Sequence, residues 1–101
     1  MDEDIATWVD GFVFERVWGR PGLSFEERML VAIAMLAALG GSPNQLGAYL
    51  HGALQDGIPP EKVHEVLAMT SVYAGFPKLM QALDQWTSVK SAHARRQQRS
   101  R

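Results

Sequence analysis

The chain has 101 residues, no cysteine, 47% hydrophobic side chains and a formal net charge of −1. This length accommodates one compact domain, which can bury a core without disulfides or a structural metal. Because no cysteine is present, thiol peroxidase, disulfide-exchange, zinc-thiolate and iron–sulfur chemistry are excluded.

The charges are unevenly distributed along the chain. Residues 1–15 carry five acidic side chains and residues 90–101 carry five basic ones, whereas residues 29–55 contain no Asp, Glu, Lys or Arg. The longest apolar run, residues 29–39, is shorter than the roughly 18 residues of a membrane span. The N-terminal residues lack a signal-peptide pattern. We therefore expect no membrane association and a cytoplasmic location.

The first predicted helix covers about residues 4–18, with Gly11 as a weak point. Its apolar residues at helical spacing are Ile5, Trp8, Val9 and Phe12. The GRPG sequence of residues 19–22 predicts a turn after this helix.

The second predicted helix begins at Ser24, where Ser24 and Glu27 have the spacing of a capping box. It extends to about Leu39, because Gly40 supplies the left-handed residue that often ends a helix. Its second half is apolar on every side, which is typical of a central or interface helix.

The third predicted helix repeats these signals. Ser42 is the expected N-cap, Pro43 occupies the first helical position, and Gln45 has the spacing to close a capping box. Asp56-Gly57 ends this helix.

The fourth predicted helix opens at Pro59-Pro60 and ends at Gly75, and the fifth begins at Phe76 and can fray anywhere from Val89 onward. The apolar face of the fourth comprises Val63, Val66, Leu67, Thr70, Tyr73 and Ala74. That of the fifth comprises Phe76, Leu79, Met80, Leu83 and Trp86. No segment alternates with a period of two, so the predicted fold is an all-α antiparallel bundle of about five helices.

We expect a single helical domain over residues 1–89 and a basic, mobile tail over residues 90–101. Nucleic-acid binding is not expected, because no recognition helix or interleaved aromatic residues accompany the basic charges of the tail. One copy of the bundle has too few elements to surround the uncharged residues 29–55. The sequence therefore predicts a homo-oligomer that covers this surface between copies.

Four sequence blocks carry a family resemblance. They are VWGRPGL at residues 17–23, RMLV at 28–31, HGALQDGIPPEKV at 51–63 and VYAGFP at 72–77. In this order they resemble the carboxymuconolactone decarboxylase family over nearly the whole chain, up to about Trp86. The resemblance implies an all-α fold, a trimer or hexamer built from helical hairpins, and a site near the helix that begins at Ser42.

The family contains two chemistries. One branch reduces hydroperoxides with a Cys-x-x-Cys and His arrangement, which a chain without cysteine cannot perform. The other decarboxylates an unsaturated lactone acid without a cofactor. The resemblance therefore implies a cofactor-independent decarboxylase of aromatic compound catabolism, whose partner is a small unsaturated or aromatic-derived carboxylic acid or lactone.

The third helix departs from the family pattern, which resembles Glu-Leu-x-x-His-x-Arg. This chain has Gln45, Tyr49 and His51 at the three polar positions, and Met29 where many relatives have a glutamate. At about 100° per residue, Gln45 and Tyr49 lie about 40° apart around the helix, and His51 lies about 160° from Tyr49. His51 therefore cannot take the place of the missing histidine.

Decarboxylation requires hydrogen-bond donors to the developing enolate oxygen and an acid that reprotonates carbon. Tyr49, Gln45 and His51 are the catalytic candidates. The phenol of Tyr49 and the amide of Gln45 can donate, and His51 can transfer protons near neutral pH. The alternatives are a core tyrosine with a satisfied hydroxyl, a capping glutamine and a packed histidine.

Four further residues are substrate-binding candidates. Arg20 and Arg28 match family positions and can hold a carboxylate through two hydrogen bonds, although solvated surface arginines would look the same. Trp18 and Tyr73 are candidates for the wall of a pocket or for the core. No metal site is expected, because the histidines do not have the spacing of ligands.

Two other functions stay open at this point. One is a lyase, isomerase or cyclase on a related cyclic substrate, since glutamine and tyrosine favour hydrogen bonding over strong proton transfer. The other is a non-catalytic binding protein that keeps the fold.

Overall fold

A computed structural model describes residues 2–99, and all of its regular elements are helical. Helix α1 (Glu3–Trp8) continues directly as a π-helix over Val9–Val17. The remaining helices are α2 (Phe25–Leu39), α3 (Pro43–Gln55), α4 (Pro60–Tyr73) and α5 (Phe76–Arg99). The all-α class with about five helices is confirmed. Within the described range, the helices lack the combination of length and hydropathy that a bilayer span requires.

The caps and turns lie at the predicted positions. The hydroxyl of Ser24 accepts from the Glu27 backbone N–H at 3.1 Å, and the Ser24 N–H donates to Glu27 Oε1 at 2.8 Å. The Ser24 backbone N–H and then its hydroxyl lower the pKa of the Glu27 carboxyl. Gly40, Gly57 and Gly75 follow α2, α3 and α4 with φ of 67°, 80° and 94°, a region that disfavours side chains with a Cβ.

The first helix differs from the prediction. It is α-helical only over Glu3–Trp8, and from Val9 onward it has π-helical hydrogen bonds, such as Trp18 N–H to the Val13 carbonyl at 2.9 Å. Gly11 lies inside the π-helical segment, where the missing side chain lowers the cost of wider backbone turns.

The core lies between the other four helices, each of which packs against the remaining three, with the smallest contact between α3 and α4. Each helix buries residues three or four positions apart, so one stripe of each faces inward. The buried hydrophobic side chains are Met29, Ile33, Ala37, Leu46, Leu50, Ala53, Ile58, Val63, Leu67, Ala82 and Trp86.

The apolar faces predicted for α4 and α5 are only partly buried. Val63, Leu67, Thr70 and Trp86 lie in the core, whereas Tyr73, Phe76 and Met80 are exposed. The second half of α2 likewise buries Ile33 and Ala37 but exposes Val31, Met35 and Leu39. Helical periodicity identified these faces correctly, but the single chain does not cover all of each face.

Helix α5 stays helical through Arg99, so residues 90–99 continue the helix that was predicted to fray from Val89. The domain over 1–89 and the mobile tail over 90–101 stay predictions. Of these ranges, Met1, Ser100 and Arg101 lie outside the described residues.

Candidate functional site

The half-buried ring of Tyr49 on α3 stacks on the indole of Trp18, with 6.2 Å between centroids and 28° between planes. Trp18 follows the π-helical segment and also contacts Phe25 and Phe14, at centroid distances of 5.9 and 6.4 Å. Among residues 2–99, the Tyr49 hydroxyl has no hydrogen-bond partner. Tyr49 packs against the core, as the alternative of a core tyrosine requires, but no described residue satisfies its hydroxyl.

Gln45 lies one turn before Tyr49 on the same side of α3, and its side chain is exposed. Its backbone N–H donates to the Ser42 hydroxyl at 3.3 Å, as expected of an N-cap. The Gln45 side chain does not return a hydrogen bond to Ser42, so only half of the predicted capping box forms. Its amide is therefore available to a ligand beside the Tyr49 hydroxyl.

The structure brings Arg28 and Arg20 together at the start of α2. Arg28 Nη2 donates to the Arg20 carbonyl oxygen at 2.5 Å, which ties α2 to the turn that follows Trp18. Arg28 also lies one turn after Phe25, the residue that contacts Trp18. Its Nε is buried without a hydrogen-bond partner in the described part of the chain. This guanidinium thus holds the turn before α2 to the first turn of that helix and keeps one donor, Nε, without a partner in the described chain.

His51 is separated from Tyr49, as the helical spacing predicts. It is half-buried against α5, where its Nε2 contacts Arg96 Nη1 and its ring meets the ring of His93 edge-on at 6.4 Å. Burial, Arg96 and then His93 lower the pKa of His51. A single chain therefore does not bring His51 into the group formed by Gln45, Tyr49 and Trp18.

Tyr73 also lies elsewhere. It is 80% exposed at the end of α4 and lines an apolar groove between α2 and α4, together with Met35 and Met69. The structure does not bring it together with Tyr49.

Sequence reasoning missed a concavity of about 190 Å³ between the start of α3 and α5. Gln81, Asp84 and Gln85 of α5 line it opposite Ser42. Their spacing of three and four residues places them on one face of α5, which is the signal that could have found them. Gly47 makes room for Gln85, because a Cβ there would lie 3.2 Å from Gln85 Oε1.

Among residues 2–99, no group of three or more His, Asp or Glu side chains is arranged to hold a metal ion.

The molecule is thus a small all-helical domain whose candidate site combines an aromatic stack with unpaired polar groups at the start of α3. Its sequence matches the model of the carboxymuconolactone decarboxylase family over residues 3–88, and the chain belongs to that family.

Two curated relatives carry names that describe a reaction. The chain is 34% identical over 77 residues to 4-carboxymuconolactone decarboxylase of Acinetobacter baylyi, covering 76% of this chain and 57% of the relative. It is 28% identical over 81 residues to a nitrosuccinic acid decarboxylase of Metarhizium robertsii, covering 80% of this chain and 53% of the relative. The chain therefore spans about half the length of the curated relatives it matches.

Proposed function

We propose that the chain is a cofactor-independent decarboxylase of a small unsaturated or aromatic-derived carboxylic acid or lactone. The observation that carries this proposal is the unpaired hydroxyl of Tyr49, held by the Trp18 stack at a family position for a polar residue. The names of two relatives support it, since both describe the removal of a carboxyl group from a small acid.

Loss of CO₂ leaves an electron pair that has to move into an electron-accepting group, such as a conjugated carbonyl. The Tyr49 hydroxyl donates a hydrogen bond to the oxygen that gains this charge, and the Gln45 amide donates a second one from the same face of α3. A single donor of this kind contributes about 10²–10³-fold in rate. Tyr49 and Gln45 therefore stabilise the enolate in this mechanism, and the carbon that lost CO₂ takes its proton from a solvent water, since His51 lies on the other side of α3.

We assign binding of the substrate carboxylate to Arg28, with Arg20 at the adjoining turn. Arg28 Nη2 is bonded to the Arg20 carbonyl oxygen and Nε is buried, so the carboxylate is bound by Arg28 Nη1 together with the exposed guanidinium of Arg20. Trp18 provides an apolar wall beside the reacting carbon. His51, on the other side of α3, has no part in this arrangement within one chain.

In the single chain the surface formed by Gln45 and Tyr49, here called the shelf, is open to solvent, because Gln45 is exposed and Tyr49 is only half-buried. Hydrogen bonds to a developing charge are strongest where water is excluded. We therefore propose that the active form is a homo-oligomer, a trimer or hexamer, in which another copy covers the shelf. The cytoplasmic location stays a prediction from the sequence.

The test is to incubate the purified protein with 4-carboxymuconolactone and, separately, with nitrosuccinic acid, in the presence of a metal chelator. We expect a product that has lost one CO₂, detected by mass spectrometry and by release of labelled CO₂. No release from either acid between about pH 5 and 9, a range that brackets the ordinary histidine pKa of about 6.5, would remove these substrates from the proposal.

A lyase, isomerase or cyclase reaction on a related cyclic substrate is the second candidate. The observation that favours it is the presence of Gln45 and Tyr49 where the family pattern has an acid and a histidine, because hydrogen bonding then replaces strong proton transfer. The same assay separates the possibilities: an isomerase or cyclase changes the substrate at constant mass. A binding protein returns it unchanged but shifts the thermal unfolding midpoint.

A further inference from the structure

The N-terminal arm, defined as residues 3–17, has an apolar face with no partner in the described chain. None of its Cα atoms lies within 8 Å of a Cα atom of α2, α3, α4 or α5. Yet Ile5, Trp8 and Phe12 are 44%, 66% and 63% exposed, at helical spacing along one face. An isolated helix of about 15 residues is only marginally stable in water. The arm therefore needs a surface that covers these side chains.

The α2/α4 groove, introduced above with Tyr73, is a surface of the matching kind. It is a concavity of about 350 Å³ whose lining contains no charged residue. Leu30, Val31 and Met35 of α2 face Val66, Met69 and Tyr73 of α4 across it. Met35 and Met69 are 60% and 59% exposed, and methionine adapts readily to the shape of an incoming side chain.

The arm and the groove agree in length. At about 1.5 Å per residue Val66 to Tyr73 spans about 10 Å, and Ile5 to Phe12 spans slightly less because the arm is π-helical from Val9 onward. The arm residues on this face are uncharged, as is the groove. No charge is desolvated when the two surfaces meet.

The area is also sufficient for a stable contact. A fully buried aromatic side chain removes about 150–250 Å² from water, so the exposed parts of Trp8 and Phe12, together with Ile5, amount to roughly 350 Å² per arm. With a similar area from each groove, two reciprocal contacts would bury on the order of 1,400 Å², within the range of about 1,200–2,000 Å² for specific interfaces.

The arm does not lie in the groove of its own chain, since none of its Cα atoms is within 8 Å of α2 or α4. Trp18, directly after the arm, stacks on Tyr49 of α3 and contacts Phe25, whereas the groove lies between α2 and α4. We propose that the arm of one copy lies in the α2/α4 groove of a second copy and that the arm of the second copy lies in the groove of the first, as in a hexamer built from three such pairs. This inference rests on the proposed self-association and is independent of the proposed reaction.

Because the chain has no cysteine, introduced cysteines test this contact directly. A tagged Phe12→Cys chain and an untagged Met69→Cys chain are co-expressed and treated with a short bis-maleimide cross-linker. We expect a covalent heterodimer, identified by its mass, at least about tenfold more abundant than in the control. The control pairs Phe12→Cys with His64→Cys, because His64 is exposed on α4 but lies outside the groove.

The double variant Phe12→Cys/Met69→Cys distinguishes an arm that lies in the groove of another copy from an arm that folds back into the groove of its own chain. Linked dimers or higher species support exchange between copies, and an internally linked monomer would overturn it. Light scattering of the Met69→Glu variant adds a second readout. We expect the dissociation constant of its oligomer to rise at least tenfold, and that of the His64→Glu control to stay the same as in wild type.

Two results together would overturn the arm contact: a Met69→Glu assembly with the same mass as wild type, and no cross-linked heterodimer between the two cysteine variants. The copies would then associate through another surface. A wild-type chain that is monomeric at every concentration would overturn the self-association as well. Neither result depends on CO₂ release, so the proposed reaction is tested separately.

Discussion

The indole of Trp18 and the phenol of Tyr49 stack at a tilt of 28° between their planes, with 6.2 Å between their centroids. They belong to segments 31 positions apart in the sequence, and their stacking joins the end of the N-terminal arm to α3. The contact fixes the ring of Tyr49 and leaves its hydroxyl unpaired in the described structure. This combination suits a donor that is held ready for a ligand.

The Tyr49→Phe variant separates the hydroxyl from the stack. The phenylalanine ring keeps the contact with Trp18, so we expect the free energy of unfolding to change by less than about 1 kcal/mol, since no protein hydrogen bond is lost. We expect kcat to fall about 10²–10³-fold, as on removal of an oxyanion donor. CO₂ release and urea unfolding measure the two effects. Full activity in Tyr49→Phe would contradict the assigned role.

The Tyr49→Ala variant removes the stack as well and should be destabilised by a further 1–3 kcal/mol or so, because the ring is half-buried. If Tyr49→Phe and Tyr49→Ala were equally stable, the contact with Trp18 would not hold the site together. Circular dichroism at equal concentration controls for loss of helix.

The positions at which helices begin and end were predictable because they depend on local hydrogen bonds. Ser24, Ser42 and Gly40 cap their helices as their neighbours in sequence indicate. By contrast, the contact between Arg96 and His51 joins residues 45 positions apart, and no local sequence pattern predicts it. The spacing of Gln81, Asp84 and Gln85 in the sequence predicts that they share one face of α5. The surface opposite them could not be predicted, because it depends on how α5 packs against α3.

The exposure of Tyr73, Phe76 and Met80 has a different physical origin. Their spacing correctly places them on apolar helix faces, yet periodicity does not specify what covers a face. The described chain leaves them 80%, 67% and 56% exposed. In the same way, the sequence identified Tyr49 and Gln45 as neighbours on one side of α3, but the partner of Tyr49, Trp18, follows from the path of the turn between the arm and α2.

The lowered pKa of His51 makes stability depend on pH. Burial disfavours the charged ring in the folded chain, and Arg96 and His93 add to this effect. Below the unfolded value of about 6.5 the unfolded chain therefore binds more protons at this site than the folded chain. Stability consequently falls as pH decreases from about 7 through 6.5 toward the folded pKa. Chemical denaturation across this range measures the slope, and His51→Gln should reduce it.

The cause can be checked by NMR titration of the histidine rings. We expect the His51 midpoint to lie below the usual value and to move upward in Arg96→Gln, because the neighbouring guanidinium is removed. A midpoint that does not respond to Arg96→Gln would attribute the whole shift to burial and to His93.

The capping box at Ser24 predicts a measurable contribution to stability. Ser24→Ala removes the acceptor for the Glu27 N–H and should lower the free energy of unfolding by about 1 kcal/mol, whereas Ser24→Gly should cost only a few tenths. The lowered pKa of Glu27 means that its ionised form supports folding above the usual carboxyl pKa and that this support is lost as pH falls through the folded value. Urea unfolding at neutral and acidic pH tests both effects, and equal stability of Ser24→Ala and wild type would contradict the cap.

Trp86 is the largest fully buried side chain and lies 1% exposed at the centre of the bundle. Trp86→Ala should lower the free energy of unfolding by about 3–5 kcal/mol, because it leaves a cavity between tightly packed helices.

Trp86→Phe should lower the free energy of unfolding clearly less than Trp86→Ala. The indole Nε1 is buried without a hydrogen-bond partner among the described residues, and the phenylalanine ring fills most of the space without that unpaired donor. Lys90, whose Nζ lies 5.1 Å from the Trp86 ring centroid, provides the control: Lys90→Gln removes the cation but not the ring, and should cost no more than about 1 kcal/mol. Equal losses for Trp86→Phe and Trp86→Ala in urea unfolding would mean that a bound water or another group satisfies the indole N–H in solution.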